Sequence, residues 1–295
     1  MSVINTLVRP ADSNDHRQLS NLIFHETRLH RHLDWRSPLD WLGGPFYWAL
    51  DDRGRIDAAL ACPPEAPGAH WIRFFAHNGS WSADNAWSLL WHEARKTVAH
   101  TGGGAVAAIV MQPWFEQLLA HSGFETRQGI VMLEWAYQPW ARKEAAGVQI
   151  RKMTEADLPC IEKIDLSAFG VLWHNPIDTL RAAFSKALFA SIAEGDRGII
   201  GYQITTGERQ RAHLARLAVT PAAQGHGIGR FLVGDLLTRL LDHGIGKLSV
   251  NTQSDNGSSL ALYKKLGFTR TGEQYPVYVF DVNSMEASWQ NESIR

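Results

Sequence analysis

The chain has 295 residues, 45% hydrophobic and 20% charged, with a formal net charge of −1, enough for two domains with ordinary cores. The balanced charge, with no basic run beyond Lys264-Lys265, leaves no electrostatic footprint for nucleic acid, and no apolar stretch approaches the ~20 residues that cross a membrane. Cys62 and Cys160 lack a partner motif, and the amino terminus lacks a charged segment leading into a long apolar one; a cytoplasmic protein without disulfides or metal is expected.

In chain order, Val8-Arg9-Pro10 is followed by Asp12-x-x-Asp15, a helix-start signal, and by a helical apolar face at Leu19 and Leu22. His25, His30 and His32 cluster next, at a spacing that matches no metal site and reads as solvated surface. Trp81, Trp87 and Trp91 belong to a tryptophan-rich first half, and core filling is their expected role. His92-Glu93 lacks the closing histidine of a zinc helix. The helix ends at Gly102, and His121-Ser122-Gly123-Phe124 follows. Pro139 to Gly147 is polar and reads as a linker.

The pattern then repeats. Ile150-Arg151-Lys152 and Thr154-x-x-Asp157 match the opening segment at an offset of 142 (151 − 9), with Ile161 and Ile164 in place of Leu19 and Leu22. Gly244 answers Gly102, and Gly267-Phe268 answers Gly123-Phe124. Two copies of one architecture are expected, residues 1–142 and 148–295. Within the second, the pattern predicts helices over 155–165 and 177–186 around a loop from Phe169 to Pro176. A hairpin over 189–194 and 198–206 comes next, then strands at 213–219, 247–252 and 277–280. Helices interspersed with hairpins predict an α/β fold, each copy a mixed, mostly antiparallel twisted sheet flanked by helices.

The strand His213 to Val219 runs through Pro221 into Gln224-Gly225-His226-Gly227-Ile228-Gly229, and an amphipathic helix with Leu232, Leu236 and Leu240 follows directly. Glycines tolerate positive φ, so successive N–H groups can converge on one anion, and the first helical turn adds unpaired N–H groups and the positive end of the dipole. The spacing is neither a dinucleotide fingerprint nor a P-loop, since no Gly-x-Gly-x-x-Gly and no Gly-Lys-Ser/Thr is present there. Downstream, a short helix runs from Asn256 through Tyr263 to Gly267-Phe268.

Gln224-x-x-Gly227-x-Gly229 followed by Asn256-x6-Tyr263-x3-Gly267-Phe268 resembles the GNAT superfamily of N-acetyltransferases, which use acetyl-CoA. The resemblance implies that the backbone of Leu217, Ala218 and Val219 pairs with the pantetheine arm. It further implies that Gln224, Gly225, His226, Gly227, Ile228, Gly229 and Arg230 surround the diphosphate. Asn256 would bond the pantetheine, or serve only as an N-cap. Tyr263 would donate to the departing sulfur, or be a core tyrosine. Some relatives carry a glutamate base where this chain has Asn251, and others an acid at the position of His213. An unperturbed histidine, near pKa ~6.5, can accept a proton there; the alternative is a solvated histidine at a strand start. Simple alternation would put residues 213, 215, 217 and 219 on one face. Trp173-His174-Asn175 falls in the loop where the family binds acceptors.

The copies are unequal. Gln224, Gly225, Gly227 and Gly229 correspond to Trp81, Ser82, Asp84 and Ala86, Tyr263 to Leu119, and Asn256 to Gln112. Asp84 would repel a diphosphate. The expectation is an acetyl-CoA-dependent N-acetyltransferase, catalytic in its second copy, acting on a primary amine of a small molecule or of a peptide or protein. The alternatives are a small-molecule acyltransferase resembling mycothiol synthase and a non-catalytic acyl-CoA-binding regulator.

Overall fold

The computed structural model describes residues 6–25, 28–32, 35–138, 147–208 and 210–283. The expected linker lies outside them apart from Gly147. The elements of the first part of the chain are β1 (Thr6–Pro10), α1 (His16–His25), β2 (Leu29–Arg31), β3 (Tyr47–Asp52), β4 (Arg55–Ala61), β5 (Pro64–Ala66), β6 (Ala69–Trp71), β7 (Phe74–His77), α2 (Ala83–His100), β8 (Ala105–Ile109), α3 (Pro113–His121) and β9 (Glu125–Ala136). The second part contains β10 (Gln149–Lys152), α4 (Leu158–Trp173), α5 (Ile177–Ser185), β11 (Phe189–Gly195), β12 (Gly198–Glu208), β13 (Arg211–Val219), α6 (Ile228–Asp242), β14 (Lys247–Gln253), α7 (Gly257–Lys265) and β15 (Thr269–Asp281). Among the described residues no helix is long and apolar enough to cross a membrane.

The repeat read from the sequence has a physical counterpart at each copy's first helix. Arg9 donates to both oxygens of Asp15 (2.7 and 2.8 Å) and to Asp51 (3.0 Å). Arg151 does the same with Asp157 (2.8 and 2.8 Å) and Glu194 (3.1 Å). Each carboxylate also completes a capping box, Asp15 with Asp12 and Asp157 with Thr154. The Arg151 bonds hold the Asp157 carboxyl down to about 2.

The chain folds into two compact units that differ from a division at the linker: Met1–Arg127 with Pro276–Arg295, and Gln128–Tyr275. The first unit contains the antiparallel order β1-β3-β4-β7-β2, together with β5, β6, β8 and the end of β15. Its core packs Trp48, Leu60, Phe75, Trp87, Trp91, Phe115 and Leu119 against Tyr278, Phe280 and Val282. Trp87 and Trp91 are stacked in that core, 5.8 Å between centroids, as expected of structural tryptophans. His30 and His32, in contrast, are not solvated: both are buried, and His30 stacks on Phe115 at 3.9 Å. Burial pulls the His30 imidazole down to about 4, so it stays neutral in the interior.

In the second unit the order is β10-β11-β12-β13-β14-β9, followed by the first half of β15. From β10 to β9 the neighbours are antiparallel except β13 and β14, whose parallel pairing is made possible by the crossover helix α6. Val131, Leu133 and Trp135 of β9 alternate into the core formed by α6, α7 and β14. Each copy thus contributes a closing strand to the compact unit mainly built from the other.

The exchange makes the first copy dependent on β15. A fragment ending at residue 142 loses Val277, Phe280 and Val282, all buried in the full chain, each contributing about 2 kcal/mol towards a total stability of about 5–15 kcal/mol. Urea unfolding of fragment 1–142, followed by far-ultraviolet circular dichroism, is expected to show no cooperative transition; a cooperative one would mean the copy closes without the exchanged strand.

Candidate active site

The site is built on the place where β13 leaves β14. Parallel pairing joins Arg211–Leu214 to Lys247–Val250 and stops there, while β13 continues to Val219 and β14 to Gln253. Beyond Leu214, β13 is paired only with β12 among the described strands, so one main-chain edge of the segment Leu217 to Val219 faces the gap. A bulge accompanies the separation: Leu214 opposes Thr205 and Arg216 opposes Ile204, leaving Ala215 as the extra residue.

This bulge overturns simple alternation along the strand. His213, Arg216 and Ala218 oppose Thr206, Ile204 and Tyr202 on one face, while Leu214, Leu217 and Val219 oppose Thr205, Gln203 and Gly201 on the other. Leu217 and Val219 pack against Ile228 and Leu232 of α6. His213 therefore does not share their face; it lies on the α4 side with Arg216.

At the end of β13 the glycine loop has the geometry its composition implies. Gly225 (φ 79°) and Gly227 (φ 83°) are left-handed, and a Cβ at either would meet open space. Gly227 caps α6 with no side-chain bond to the helix, so among the described residues no side chain covers the N–H groups of the first turn. Ile228 is buried beside Leu232 and anchors the turn, and Gly229 allows the Leu262 side chain within 3.3 Å of its Cβ position. Gln224 donates its side-chain amide to the Val219 carbonyl (3.0 Å), tying the loop to the strand rather than extending from it. His226 bonds back to the Gln224 carbonyl at 2.9 Å. Among the described residues the buried Nε atom of Arg230 has no hydrogen-bond partner, a donor left over beside a helix start without a side-chain cap. These features suit a polyanion.

On α7, Asn256 accepts from the Ser259 N–H (3.1 Å) and the Ser258 hydroxyl (2.9 Å), and its own amide points to Gln253 (3.4 Å). Its polar atoms are committed to capping. Tyr263 is buried against Phe268 at a ring distance of 5.2 Å, and burial pushes its phenol well above the usual range. Among the described residues its hydroxyl has no hydrogen-bond partner.

The His213 ring lies at 2.9 Å (Nδ1) from the Ser249 hydroxyl. Burial lowers its pKa below 6.5, and a hydrogen bond with Asn251 offsets part of that. Both Ser249 and Asn251 are neutral, so neither supplies a negative charge to stabilise an imidazolium.

Beside it lies a cluster whose Asp165 and Arg216 sequence reading did not find, although it had singled out His174 and Asn175. Asp165, fully buried, accepts from Arg216 through both oxygens (2.7 and 2.7 Å), from the Asn175 N–H (2.7 Å) and from the Tyr202 hydroxyl, with the His174 ring at 3.2 Å. Burial pushes its carboxyl up, but the Arg216 charge and the His174, Arg216 and Tyr202 bonds bring it down to about 2. The one sequence signal was an acid inside the apolar run Ile161, Ile164, Leu166. The expected 169–176 loop is shorter than anticipated: α4 runs to Trp173, broken only by Gly170 at φ 71°.

The corresponding helix start in the first unit is closed. Ser82 caps α2 by accepting from the Asn85 N–H (3.2 Å), Asp84 sits in the first turn, and Leu119 is buried where the second copy has Tyr263.

Residues 158–268 match the profile of the acetyltransferase (GNAT) family. Over 191 residues the chain is 28% identical to a mycothiol acetyltransferase of Amycolatopsis mediterranei, covering 55% of this chain and 62% of that protein; in two other mycothiol acetyltransferases the aligned share is smaller still. The Escherichia coli [ribosomal protein bS18]-alanine N-acetyltransferase is 28% identical over 119 residues, 40% of this chain and 79% of that protein. In fold, a tandem GNAT protein from the clavulanic acid biosynthesis pathway superposes with a TM-score of 0.62 at 17% identity, covering 94% of this chain and 99% of the other.

The half-buried His213 is expected to titrate below pH 6.5 in the full-length protein, its imidazole signal in NMR identified by its loss in His213→Ala. The sign follows: the stability linked to its depressed pKa is present above the unfolded value of about 6.5 and is lost as pH falls through the folded pKa. A titration at or above 6.5 would contradict the burial.

Proposed function

We propose that this chain, which carries a GNAT-family acetyltransferase domain over residues 158–268, moves an acetyl group from acetyl-CoA to a primary amine in its second unit. The observation that carries the reading is the start of α6 without a side-chain cap, with Gly225 and Gly227 open before it, directly after a strand that leaves its parallel neighbour beyond Leu214. An extended pantetheine would pair with that edge as an added strand. The N–H groups of Gly225 to Arg230 would meet the diphosphate, and the Arg230 Nε supplies a further donor. Gln224 serves by fixing the loop, and Asn256 by fixing the start of α7.

In the transfer, the amine nitrogen bonds to the thioester carbonyl carbon, the carbon–sulfur bond breaks, and the nitrogen loses a proton. A main-chain N–H of the free β13 edge would stabilise the oxygen as charge builds on it. His213, uncharged on the acceptor face, is the candidate to take the amine proton, directly or through water. An α-amine near pKa ~7.8 needs less help than a lysine near ~10.4. Tyr263, with its pKa raised, holds its proton more tightly than a thiol near ~8.5. Its part is therefore a hydrogen bond to the departing sulfur rather than full proton transfer.

The first unit supports no second acyl-CoA site in this reading, because Ser82 and Asp84 occupy the matching helix start. The curated relatives are named for mycothiol and for the alanine of ribosomal protein bS18, so the acceptor panel should contain small-molecule amines, among them amino sugars and aminothiols, and alanine-initiated peptides. Release of free CoA thiol with any of them identifies the class. Saturable acetyl-CoA binding without release from any would favour a non-catalytic acyl-CoA-binding regulator.

Calorimetric titration of the full chain with acetyl-CoA is expected to saturate at one equivalent. A side chain at Gly227 meets open space but is strained at φ 83°, a strain that Gly227→Asp and Gly227→Asn share; only the aspartate adds a charge beside the diphosphate, and its affinity should fall by about tenfold or more below that of the asparagine variant. Unchanged affinity in the folded variant would remove the loop from the site.

Tyr263→Phe keeps the packing against Phe268 and deletes only the hydroxyl. Turnover should fall by about tenfold or more, with acetyl-CoA affinity nearly constant, since the bond strengthens as charge reaches sulfur. Parental turnover would make Tyr263 a packing residue.

A further inference from the structure

The turn from α4 to α5 is held from three sides. Arg216 donates to the Trp173 carbonyl (2.6 Å), Asp165 accepts from the Asn175 N–H (2.7 Å), and Glu162 accepts from the Ile177 N–H (2.7 Å). Arg216 and Asp165 are themselves joined by two bonds of 2.7 Å, and the guanidinium carbon lies 3.6 Å from the centre of the Phe169 ring. Gly170, left-handed, lets the chain bend between Phe169 and Trp173 so that the ring and the turn both reach Arg216. Tyr202, from the neighbouring strand β12, donates to the same carboxylate and completes its coordination.

A buried ion pair gains little net stability over well-packed apolar side chains, because desolvation consumes most of the attraction. What this pair supplies is direction: a planar guanidinium with both partners set by geometry. Arg216 stands one residue before Leu217. The turn it holds lies on the α4 face of β13, whereas Leu217 and Val219 direct their side chains to the α6 face. The pair thus fixes a polar turn beside the free strand edge, on the face opposite the glycine helix.

We propose that Asp165 and Arg216 are positioning residues for the acceptor, holding the turn Trp173–Asn175 at a set place beside β13 so that it can recognise the amine substrate without touching the acyl donor. The inference rests on the reading of Leu217 to Val219 as the donor strand. The ion pair acts through the turn; neither partner is assigned a part in bond making.

The test uses the full-length chain with Asp165→Asn, which keeps the shape and removes the charge. Three measurements are made: amide hydrogen exchange resolved at Asn175 and Ile177, calorimetric binding of acetyl-CoA, and steady-state thiol release with glucosamine and with an alanine-initiated peptide. Exchange at Asn175 is expected to quicken by about tenfold or more while Ile177, held by Glu162, stays slow. Acetyl-CoA affinity should stay within about twofold, and KM for the amine should rise about tenfold with a much smaller change in kcat. Unaltered Asn175 exchange would overturn the proposal, as would lost acetyl-CoA affinity or a fall in kcat at constant KM. If Asp165→Asn does not fold, Tyr202→Phe removes one bond to Asp165 and should move Asn175 exchange in the same direction by about threefold, and no movement overturns the proposal. Absent acetyl-CoA binding in the parent protein would instead defeat the donor-strand reading, leaving Asn175 exchange to decide whether the pair holds the turn.

Discussion

The parting of β13 from β14 after Leu214 is the constraint on which the second unit depends. Two parallel strands that remained paired would satisfy their own main-chain groups and leave nothing for a ligand. Here the ladder stops while both strands continue, so among the described residues no strand takes up the facing edge of β13 beyond Leu214, and only the Val219 carbonyl is met there, by Gln224. The bulge at Ala215 bends β13 at the same point. The separation is sustained from both faces: Leu217 and Val219 are packed on α6, and Arg216 is tied to Asp165 on α4.

The glycine loop follows from that separation. A strand ending in the gap delivers the chain at Val219, and Gln224 fastens the loop to that carbonyl. Two left-handed glycines then turn the chain into α6 without a side chain covering the helix start. In the first unit a serine caps the equivalent helix and an aspartate follows it, so the helix satisfies itself. One architecture therefore yields an open anion cradle in one copy and a closed, structural helix start in the other. The difference lies in a few side chains rather than in backbone class.

Charge is placed differently in the two kinds of site. The Arg9–Asp15 and Arg151–Asp157 pairs are partly exposed and repeat in both copies, where they complete capping boxes. Pairs so placed in solvent contribute modestly. The Asp165–Arg216 pair is buried and sits beside the free strand edge, where its value is geometric rather than energetic.

Read alone, the sequence carried what is local. The capping signals at Asp12 and Thr154, the apolar spacing of Leu232, Leu236 and Leu240, and the glycines before α6 each depend on φ preferences or on the 3.6-residue period. They identified the α/β class, the duplication and the position of the glycine loop. What they could not carry is the choice of partner over long separations. The exchange of β9 and β15 depends on which core receives Trp135 and which receives Phe280. The face of His213 depends on one extra residue opposite β12, because a single-residue shift in register reverses every later side chain. The burial of His30 and His32 and the joining of Asp165 to Arg216, 51 residues apart, likewise arise from packing. Local chemistry determined the elements and the cradle, and only the tertiary structure decided which surfaces they share, because burial and register are properties of pairs of segments and not of one.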